Sequence, residues 1–447
     1  MGCDAMFDEK VAPDSHSRAG AEAQYARPEP EHAAMGFCDE GVWEPDAAEG
    51  DDTLHPRFGG FWFRRAAAPA GSWSGDTEFG GGFYCRTLSQ NAGARLYRVR
   101  KLSAAGEFAT ITQALSQWTS DRQVPGGPRA AVIEIADSAT YHEAPTFLLD
   151  PGDYLQLRAA SGARPVLRMF DYHNGQLERV VIGGGAGSRF TLDGLLVAGG
   201  AIDIVDHGDP HGAASAAPFS VALRHCTLVP GWDPEFPGQA AWSIPASVKV
   251  HARHLALRID SSILGPLRIA DGGAGARPVA LHVGDSIIDA GHAAGLAISD
   301  HAHGAALADA TFLRVTVIGV VQLHQLELAD NSLFLGPVIS AQRSAGVMRF
   351  CYVSPASRTP RRLHCQPELA QYAPGMDAGM EAERVRPRFV SLRFGSPGYA
   401  RLAPDCAEEI LSGAEDDNAM GALQQGPIGC APVPGAQPCL PRPFLPS

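Results

Sequence analysis

The sequence has few charged residues for its length and lacks the signatures of several protein classes. Only 19% of its 447 residues are charged and the net charge is −13, so no basic surface for a nucleic acid is expected. No apolar run reaches the roughly 18 residues that suggest a membrane span. The nine cysteines include no C-x-x-C pair, which favours neither a zinc ribbon nor a disulfide framework. We therefore predict no bound metal and no cofactor.

The first residues also lack targeting signals. Met1–Met6 is followed by acidic residues without the apolar stretch of a secretory signal. Position 6 is Met, where a myristoylation site has Ser or Thr. We expect a cytoplasmic protein, or one that leaves the cell without a cleaved signal.

A recurring apolar unit runs through residues 190–340. Each copy places a small polar residue before two or three apolar ones, and glycine often follows; the copies cover 191–197, 224–229, 258–265, 282–288, 313–319 and 328–336. The apolar positions suit a buried strand face, and Gly, Asp, Asn and Ser suit the turns. Such short strands are buried only when successive coils stack. The pattern predicts an all-β, right-handed parallel β-helix. Asp260-Ser261-Ser262, Asp285-Ser286 and Asn331-Ser332 are expected to form stacked polar ladders inside or along this solenoid.

The alternative fold is a β-sandwich, which needs many hairpin turns. Asn-Gly occurs once and Asp-Gly twice, too few for a chain built of hairpins.

At residues 107–118 the spacing of the apolar residues changes from that of a strand to that of a helix. Phe108, Ile111, Leu115 and Trp118 there form an apolar stripe on one side of the predicted helix. A helix at this point predicts an N-terminal cap over the first coil.

These elements divide the chain into five predicted parts. The central part, 107–345, is the parallel β-helix. The other four are irregular: an acidic arm (1–60), an aromatic and Gly-rich entry segment (61–106), a C-terminal docking segment (346–423) and a tail with Pro and Cys (424–447).

The opening of the predicted solenoid resembles a known superfamily. Phe108-Ala-Thr-Ile-Thr-Gln-Ala-Leu, Val132-Ile-Glu-Ile-Ala and Ala139-Thr-Tyr-His-Glu are similar to the start of pectin-lyase-like β-helix proteins, above all pectin methylesterases. Ala139 stands where the G-x-Y-x-E turn of that family has glycine. The resemblance implies the fold over roughly 100–345. The later pectin methylesterase and polygalacturonase motifs are absent, so it does not imply their activities.

The C-terminal part resembles a narrower group. The segments 357–370, 387–402 and 412–422 look like an uncharacterised bacterial family of β-helix proteins that accompanies phage-tail-like and contractile injection components. Relatives continue with a Leu-rich segment where this chain has its Pro- and Cys-containing tail, so we expect a truncated or diverged terminus. The resemblance implies protein partners in a larger particle, and a homotrimer is one possible assembly.

Two groups of His and Asp residues are the candidates for proton transfer or metal binding. The first group contains His282, Asp285, Asp289, His292, Asp300, His301 and His303. The second contains Asp203, Asp206, His207, Asp209 and His211. The alternative reading of both is that the carboxylates fill turns and the histidines lie on solvated loops.

Two further sets are candidate contact sites. Trp232 and Trp242 are candidates for a polysaccharide platform. Arg358, Arg361 and Arg362 form a compact basic spot that could bind an acidic partner or be a solvated charge cluster. The sequence thus supports two hypotheses. The first is a non-catalytic structural or adaptor protein, and the second is a protein that binds or cleaves a polysaccharide.

Overall fold

The computed structural model describes residues 63–64, 78–79, 93–161, 163, 165–171, 176–207, 217–228, 244–271, 276–372, 377–392, 394 and 399–422. Successive coils of the chain stack in register and pair almost entirely in parallel, in sheets of 18 and 10 strands. The predicted parallel β-solenoid is therefore confirmed. Each coil visits three faces in the same order, which we call the first, second and third face.

The strands of the first face form the longest stack. They are β3 (Arg95–Val99), β4 (Ala130–Ile135), β7 (Tyr154–Ala159), β11 (Arg189–Asp193), β14 (Phe219–Arg224), β17 (Leu255–Asp260), β20 (Val279–Gly284), β23 (Ala306–Leu313), the second half of β25 (Val320–Asp330), β28 (Val347–Arg349) and β30 (Arg361–Leu363). The parallel strands thus extend over 95–363, further at both ends than the predicted 107–345.

The other two faces have shorter strands. The second face contains β5 (Thr140–His142), β8 (Val166–Asp171), β12 (Leu196–Gly199), β15 (Thr227–Leu228), β18 (Ile263–Leu264), β21 (Ile287–Asp289), β24 (Thr316–Ile318), β26 (Leu333–Phe334) and β29 (Tyr352–Val353). The third face contains β6 (Thr146–Leu149), β10 (Val180–Gly184), β13 (Ile202–Asp206), β16 (Val248–Val250), β19 (Leu267–Ile269), β22 (Leu296–Ser299), the first half of β25 and β27 (Val338–Gln342). Among the strands of the described residues, two pairings are antiparallel: β1 (Phe63–Arg64) with β2 (Glu78–Phe79), and β9 (Gln176–Leu177) with β8.

The core lies inside the coil and is continuous along its length. Alternate residues of each strand point inward and join one apolar cluster that runs from Tyr97 to Cys365. Phe312 and Phe334, from neighbouring coils, meet edge to face with their ring centroids 5.6 Å apart. Because each coil's apolar residues are buried by the next coil, stacking supplies the burial that no single strand achieves.

The corner between the first and second faces repeats the same turn in coil after coil. One residue there adopts positive φ, in a series that comprises His225, Ser261, Asp285, Arg314, Asn331, Phe350 and His364. The next residue points inward, where Ser262 Oγ accepts from Cys226 N at 3.1 Å and Ser286 Oγ accepts from Ser262 N at 3.1 Å. Ser332 Oγ accepts from Val315 N at 3.0 Å. Ser262, Ser286 and Ser332 of the predicted ladders thus lie inside the coil, whereas Ser261, Asp285 and Asn331 are positive-φ residues of the corner.

Helix α1 (Ile111–Gln123) contains most of the predicted helical stripe and packs Ile111, Ala114, Leu115 and Trp118 against the core. Its start is fixed by Thr110 Oγ1, which accepts from Gln113 N at 3.1 Å. Glu143, just after β5, accepts from the backbone N of Ile111 and Thr112 at 3.0 and 2.8 Å. A carboxylate at a helix N-terminus meets otherwise unpaired N–H groups and the positive end of the helix dipole. The glutamate of the Ala139–Glu143 motif therefore anchors the cap.

The C-terminal part contains three short helices, α2 (Glu368–Gln371), α3 (Ala378–Arg384) and α4 (Glu408–Leu411). Residues 399–422 fold back along the outside of the second face. There Leu402, Cys406, Ile410 and Met420 bury Leu333 and Tyr352, in a second apolar cluster. Much of the predicted docking segment is thus in contact with its own solenoid. None of the helices in the described part of the chain combines the length and apolar character of a membrane span.

Candidate functional site

The outer side of the second face is closed by the chain itself. Ala422 N donates to Thr316 Oγ1 at 3.0 Å, and Glu415 N donates to Asn331 Oδ1 at 2.9 Å. Further along, the Tyr399 hydroxyl donates to Asp289 Oδ2 at 2.6 Å. This surface therefore offers no open strand face to a ligand between Asp289 and Tyr352.

Asp289 belongs to the first predicted group, and the structure buries it. Its side chain accepts from Tyr399 and, at 2.6 Å, from Gly291 N. Burial raises its pKa to about 6, although the two hydrogen bonds act in the opposite direction. At 2% exposure, Asp289 cannot reach a ligand on the surface. Its position suits an anchor for the C-terminal segment.

The outer side of the first face carries a row of alternating charges. Strand register places one charged residue beside the next in six consecutive strands, in the order Arg98, Glu134, Arg158, Asp193, Arg224 and Asp260. Arg158 Nη2 lies 2.8 Å from Glu134 Oε2, and Arg98 Nη2 lies 3.3 Å from Glu134 Oε1. Opposite charges on adjacent strands stabilise their pairing. Glu134 is therefore held between Arg98 and Arg158, and Arg224 Nε lies 3.8 Å from Asp260 Oδ2.

Further along the first face, a histidine and a carboxylate form a close, partly exposed pair. His324 Nδ1 lies 2.9 Å from Asp309 Oδ1, with about a third of each side chain exposed. His282 points outward from β20, in register with Thr311 of β23, which is two residues from Asp309. We call His282, Asp309 and His324 the histidine surface.

The histidine surface has the elements of a proton-transfer site. When Nδ1 of His324 carries the proton and donates to Asp309, Nε2 is left as an acceptor, as in a general base. Within the described ranges, no three His, Cys, Asp or Glu side chains lie close enough together to hold a metal ion. The chemistry that this surface supports is proton transfer and hydrogen bonding to a neutral or polar ligand.

The seven residues of the first predicted group are spread around the coil. His282 is on the first face, Asp285 is at the corner, and Asp289 is on the outer side of the second face, beneath the C-terminal segment. Asp285 makes two hydrogen bonds to Arg314, at 2.5 and 2.7 Å. His292 follows β21, and the remaining three lie in the turn after β22: Asp300, His301 and His303. Asp300 Oδ1 accepts from Gly304 N, as a turn carboxylate does.

The second predicted group is also dispersed. Asp203 lies 3.3 Å from Arg179, and Asp206 accepts from the backbone N of Arg253. His207 lies 3.7 Å from Asp150, while Asp209 and His211 fall outside the described residues. One unpredicted contact involves the first group, since the ring of His301 stacks on His251 with centroids 4.4 Å apart.

The remaining candidates are the two tryptophans of the predicted platform and the three arginines of the basic spot. Trp232 and Trp242 lie outside the described residues. Arg362 hydrogen-bonds to Thr359 Oγ1 at 2.7 Å and pairs with Glu368, so its charge is used within the chain. Arg361, on β30, and Arg358 are both exposed. The basic spot is therefore reduced to two available guanidinium groups.

Sequence reasoning missed Asp309 and His324, which are 15 residues apart. The alternation of apolar residues within 306–313 places Asp309 on the outside of its strand, and this position could be predicted from the sequence. The position of His324 depends on register shifts between β23 and β25, which no local pattern reveals. No protein-family model matches the chain, and no curated protein matches it either.

Proposed function

We propose that this chain is a non-catalytic structural or adaptor protein. In this proposal a right-handed parallel β-helix forms a rigid rod that binds protein partners in a larger particle of the phage-tail or contractile-injection kind. The right hand is supported by the near-universal handedness of parallel crossovers. The resemblance of residues 357–422 to β-helix proteins that accompany such particles supports the choice of assembly.

The observation that carries the proposal is an apolar surface at the C-terminal end of the rod. Leu369 and Tyr372 in and after α2 are 51% and 84% exposed, and Met380 in α3 is 74% exposed. The two helices are joined by Gln371 Nε2, which donates to Ala378 O at 3.0 Å. Large apolar side chains that are exposed on two adjoining helices are typical of protein-binding sites. We call Leu369, Tyr372 and Met380 the cap surface.

The charges support the same function. A catalytic β-helix needs free acid and base groups on an open strand face. Here the charged row of the first face pairs internally, and Asp285 and Asp289 are engaged by Arg314 and Tyr399. Buried ion pairs hold the rod in one register and leave its outer charges largely neutralised.

The experiment is size fractionation of a lysate from the cells that produce the protein. We expect the chain to elute with a particle far larger than its own 47.1 kDa. The variant Tyr372→Asp with Met380→Asp should shift to the position of the free chain, because charges prevent burial of the cap surface. Leu102→Asp is the matched control, since Leu102 is 64% exposed near the opposite end.

Elution of the native chain as a free monomer or homotrimer would contradict the adaptor proposal. Light scattering on the purified chain separates these two states. A control variant that leaves the particle as readily as the double variant would show that the cap surface is not the contact.

The histidine surface favours a second candidate function, the binding or cleavage of a polysaccharide. A panel of acidic and neutral polysaccharides, assayed for binding and for new reducing or unsaturated ends, tests it. His324→Ala should lower any cleavage rate by about 100-fold or more, the usual contribution of a general base. His303→Ala, on an exposed turn, is the control. Replacing Trp232 and Trp242 by Ala tests the predicted platform separately.

A further inference from the structure

The last two positions of the internal ladder are thiols. Cys351 and Cys365 follow the positive-φ residues Phe350 and His364, just as Ser332 follows Asn331. Cys351 Sγ donates to Arg349 O at 3.0 Å, and Cys365 Sγ donates to Leu363 O at 3.4 Å. Both side chains are buried in the core. Each thiol thus occupies the place that a serine hydroxyl has in earlier coils.

The two cysteines are direct neighbours across the coil boundary. Tyr352 and Gln366, one residue further on, form a parallel bridge, and Gln366 N donates to Cys351 O at 2.8 Å. Adjacent strands are about 4.8 Å apart, within the range of roughly 4.4–6.8 Å that a disulfide requires between Cα atoms. Both side chains point into the core at successive positions of the same ladder, so no other ladder residue lies between them.

The environments of the two cysteines differ, and the difference indicates which of them supplies the reactive thiolate. The hydrogen bond from Cys351 lowers the pKa of Cys365 despite its burial, whereas burial raises the pKa of Cys351 well above its usual range. Cys365 therefore supplies the thiolate. The last turn of a solenoid has a neighbouring turn on one side only and opens more readily than inner turns, which gives a small oxidant access.

We propose that Cys351 and Cys365 are a modification site at which a hydroperoxide forms a disulfide between the last two coils. The Cys365 thiolate attacks the peroxide, whose O–O bond breaks, giving a sulfenic acid and an alkoxide or hydroxide that takes up the proton Cys365 has lost. The Cys351 sulfur then attacks the Cys365 sulfur and forms the S–S bond. The hydroxyl group leaves with the Cys351 proton as water, so two thiols are oxidised by two electrons and one peroxide is reduced.

The bond would restrain the terminal coil. It closes the loop from Cys351 to Cys365, which contains β29 and β30. Arg362 of β30 forms an ion pair with Glu368 of α2, so the same loop supports that helix. A cross-link of this kind removes freedom from the opened state of the loop. Amide exchange of residues 352–364 should therefore slow on oxidation, while exchange in inner coils stays the same.

The test uses the full chain, prepared with reductant and then treated with a small excess of hydrogen peroxide. Free thiols are alkylated and trypsin fragments are analysed by mass spectrometry. We expect residues 350–358 linked to residues 363–384 through Cys351 and Cys365, with exchange of 352–364 slowed at least several-fold. Cys365→Ser is the matched control, because serine fills the equivalent place at Ser262, Ser286 and Ser332.

The control should fold with the same thermal midpoint within a few degrees, and should show neither the cross-link nor the slower exchange. Three results would overturn the proposal. Peroxide could leave both cysteines alkylatable, the cross-link could form only in denaturant, or exchange could slow equally in Cys365→Ser. A cross-link to Cys226 or Cys406, the two other free thiols among the described residues, would also contradict it.

Discussion

Tyr399→Phe removes a single buried hydroxyl from the contact between the C-terminal segment and the solenoid. Tyr399 is 1% exposed, and its ring meets Phe394 edge to face at 5.4 Å. Phenylalanine keeps that ring contact and its apolar burial. The variant removes the donor of the 2.6 Å hydrogen bond to Asp289 Oδ2, so the pH dependence of the change in stability reports on this interaction.

The magnitude depends on the charge of Asp289. Leaving a buried acceptor without its partner costs about 1–3 kcal/mol, and more when the acceptor is charged. Burial raises the pKa of Asp289 from 3.8 to about 6. Because this pKa is higher in the folded chain than in the unfolded chain, the proton on Asp289 stabilises the fold. This stabilisation is fully present at a pH below the pKa of the unfolded chain and is lost as the pH rises through about 6. Without the tyrosine hydroxyl the pKa rises further, so the variant should lose about 1 kcal/mol at pH 5 and about 3 kcal/mol at pH 8.

Denaturant unfolding at pH 5 and pH 8 measures both values, and amide exchange of residues 399–422 shows whether the segment detaches first. Tyr352→Phe is the control. Tyr352 lies in the same contact, but its hydroxyl has no hydrogen-bond partner among the residues that the structure describes. The reasoning is refuted when Tyr399→Phe costs no more than Tyr352→Phe, or when its cost is independent of pH. Asp289→Asn should abolish the difference between the two pH values.

Three further changes test other parts of the fold. Phe334→Ala opens a cavity in the core between coils and should cost about 3–5 kcal/mol in denaturant unfolding; a loss below 1 kcal/mol would contradict the packed core. Glu143→Ala removes the carboxylate at the start of α1 and should cost about 1 kcal/mol, with faster amide exchange confined to 111–123; unchanged exchange there would argue against the cap. Arg158→Ala leaves Glu134 buried without its main partner and should cost about 3–5 kcal/mol, whereas a neutral result would show that the charged row is solvated.

The parts of the fold that follow from local chemistry were predictable from sequence. A turn that needs a positive φ and a small inward side chain selects Ser261-Ser262, Asp285-Ser286 and Asn331-Ser332. Both requirements fall on adjacent residues, so each copy of the turn can be recognised alone. The helix cap was equally local, since four apolar residues define its buried side.

The contacts between distant coils were not predictable in this way. Tyr399 and Asp289 are 110 residues apart, and their meeting depends on how far the C-terminal segment travels along the second face. Asp309 and His324 meet because β25 shifts register against β23. The coils differ in length, so no constant number of residues separates neighbours on adjacent coils. The spacing of two residues in the sequence therefore does not predict whether they meet on the outside of the solenoid.

The distribution of free surface argues for binding at an end of the rod. The second face is covered between Asp289 and Tyr352 by residues 399–422, and its contacts are hydrogen-bonded as well as apolar. A partner that binds the charged row of the first face would gain little binding free energy, because its contacts must replace ion pairs that already exist. The cap surface carries no such penalty, since its apolar side chains are already exposed to water. Burial of these side chains by a partner would lower the free energy without breaking an internal contact. The cap variants, rather than changes along the strands, should therefore separate this chain from the proposed particle.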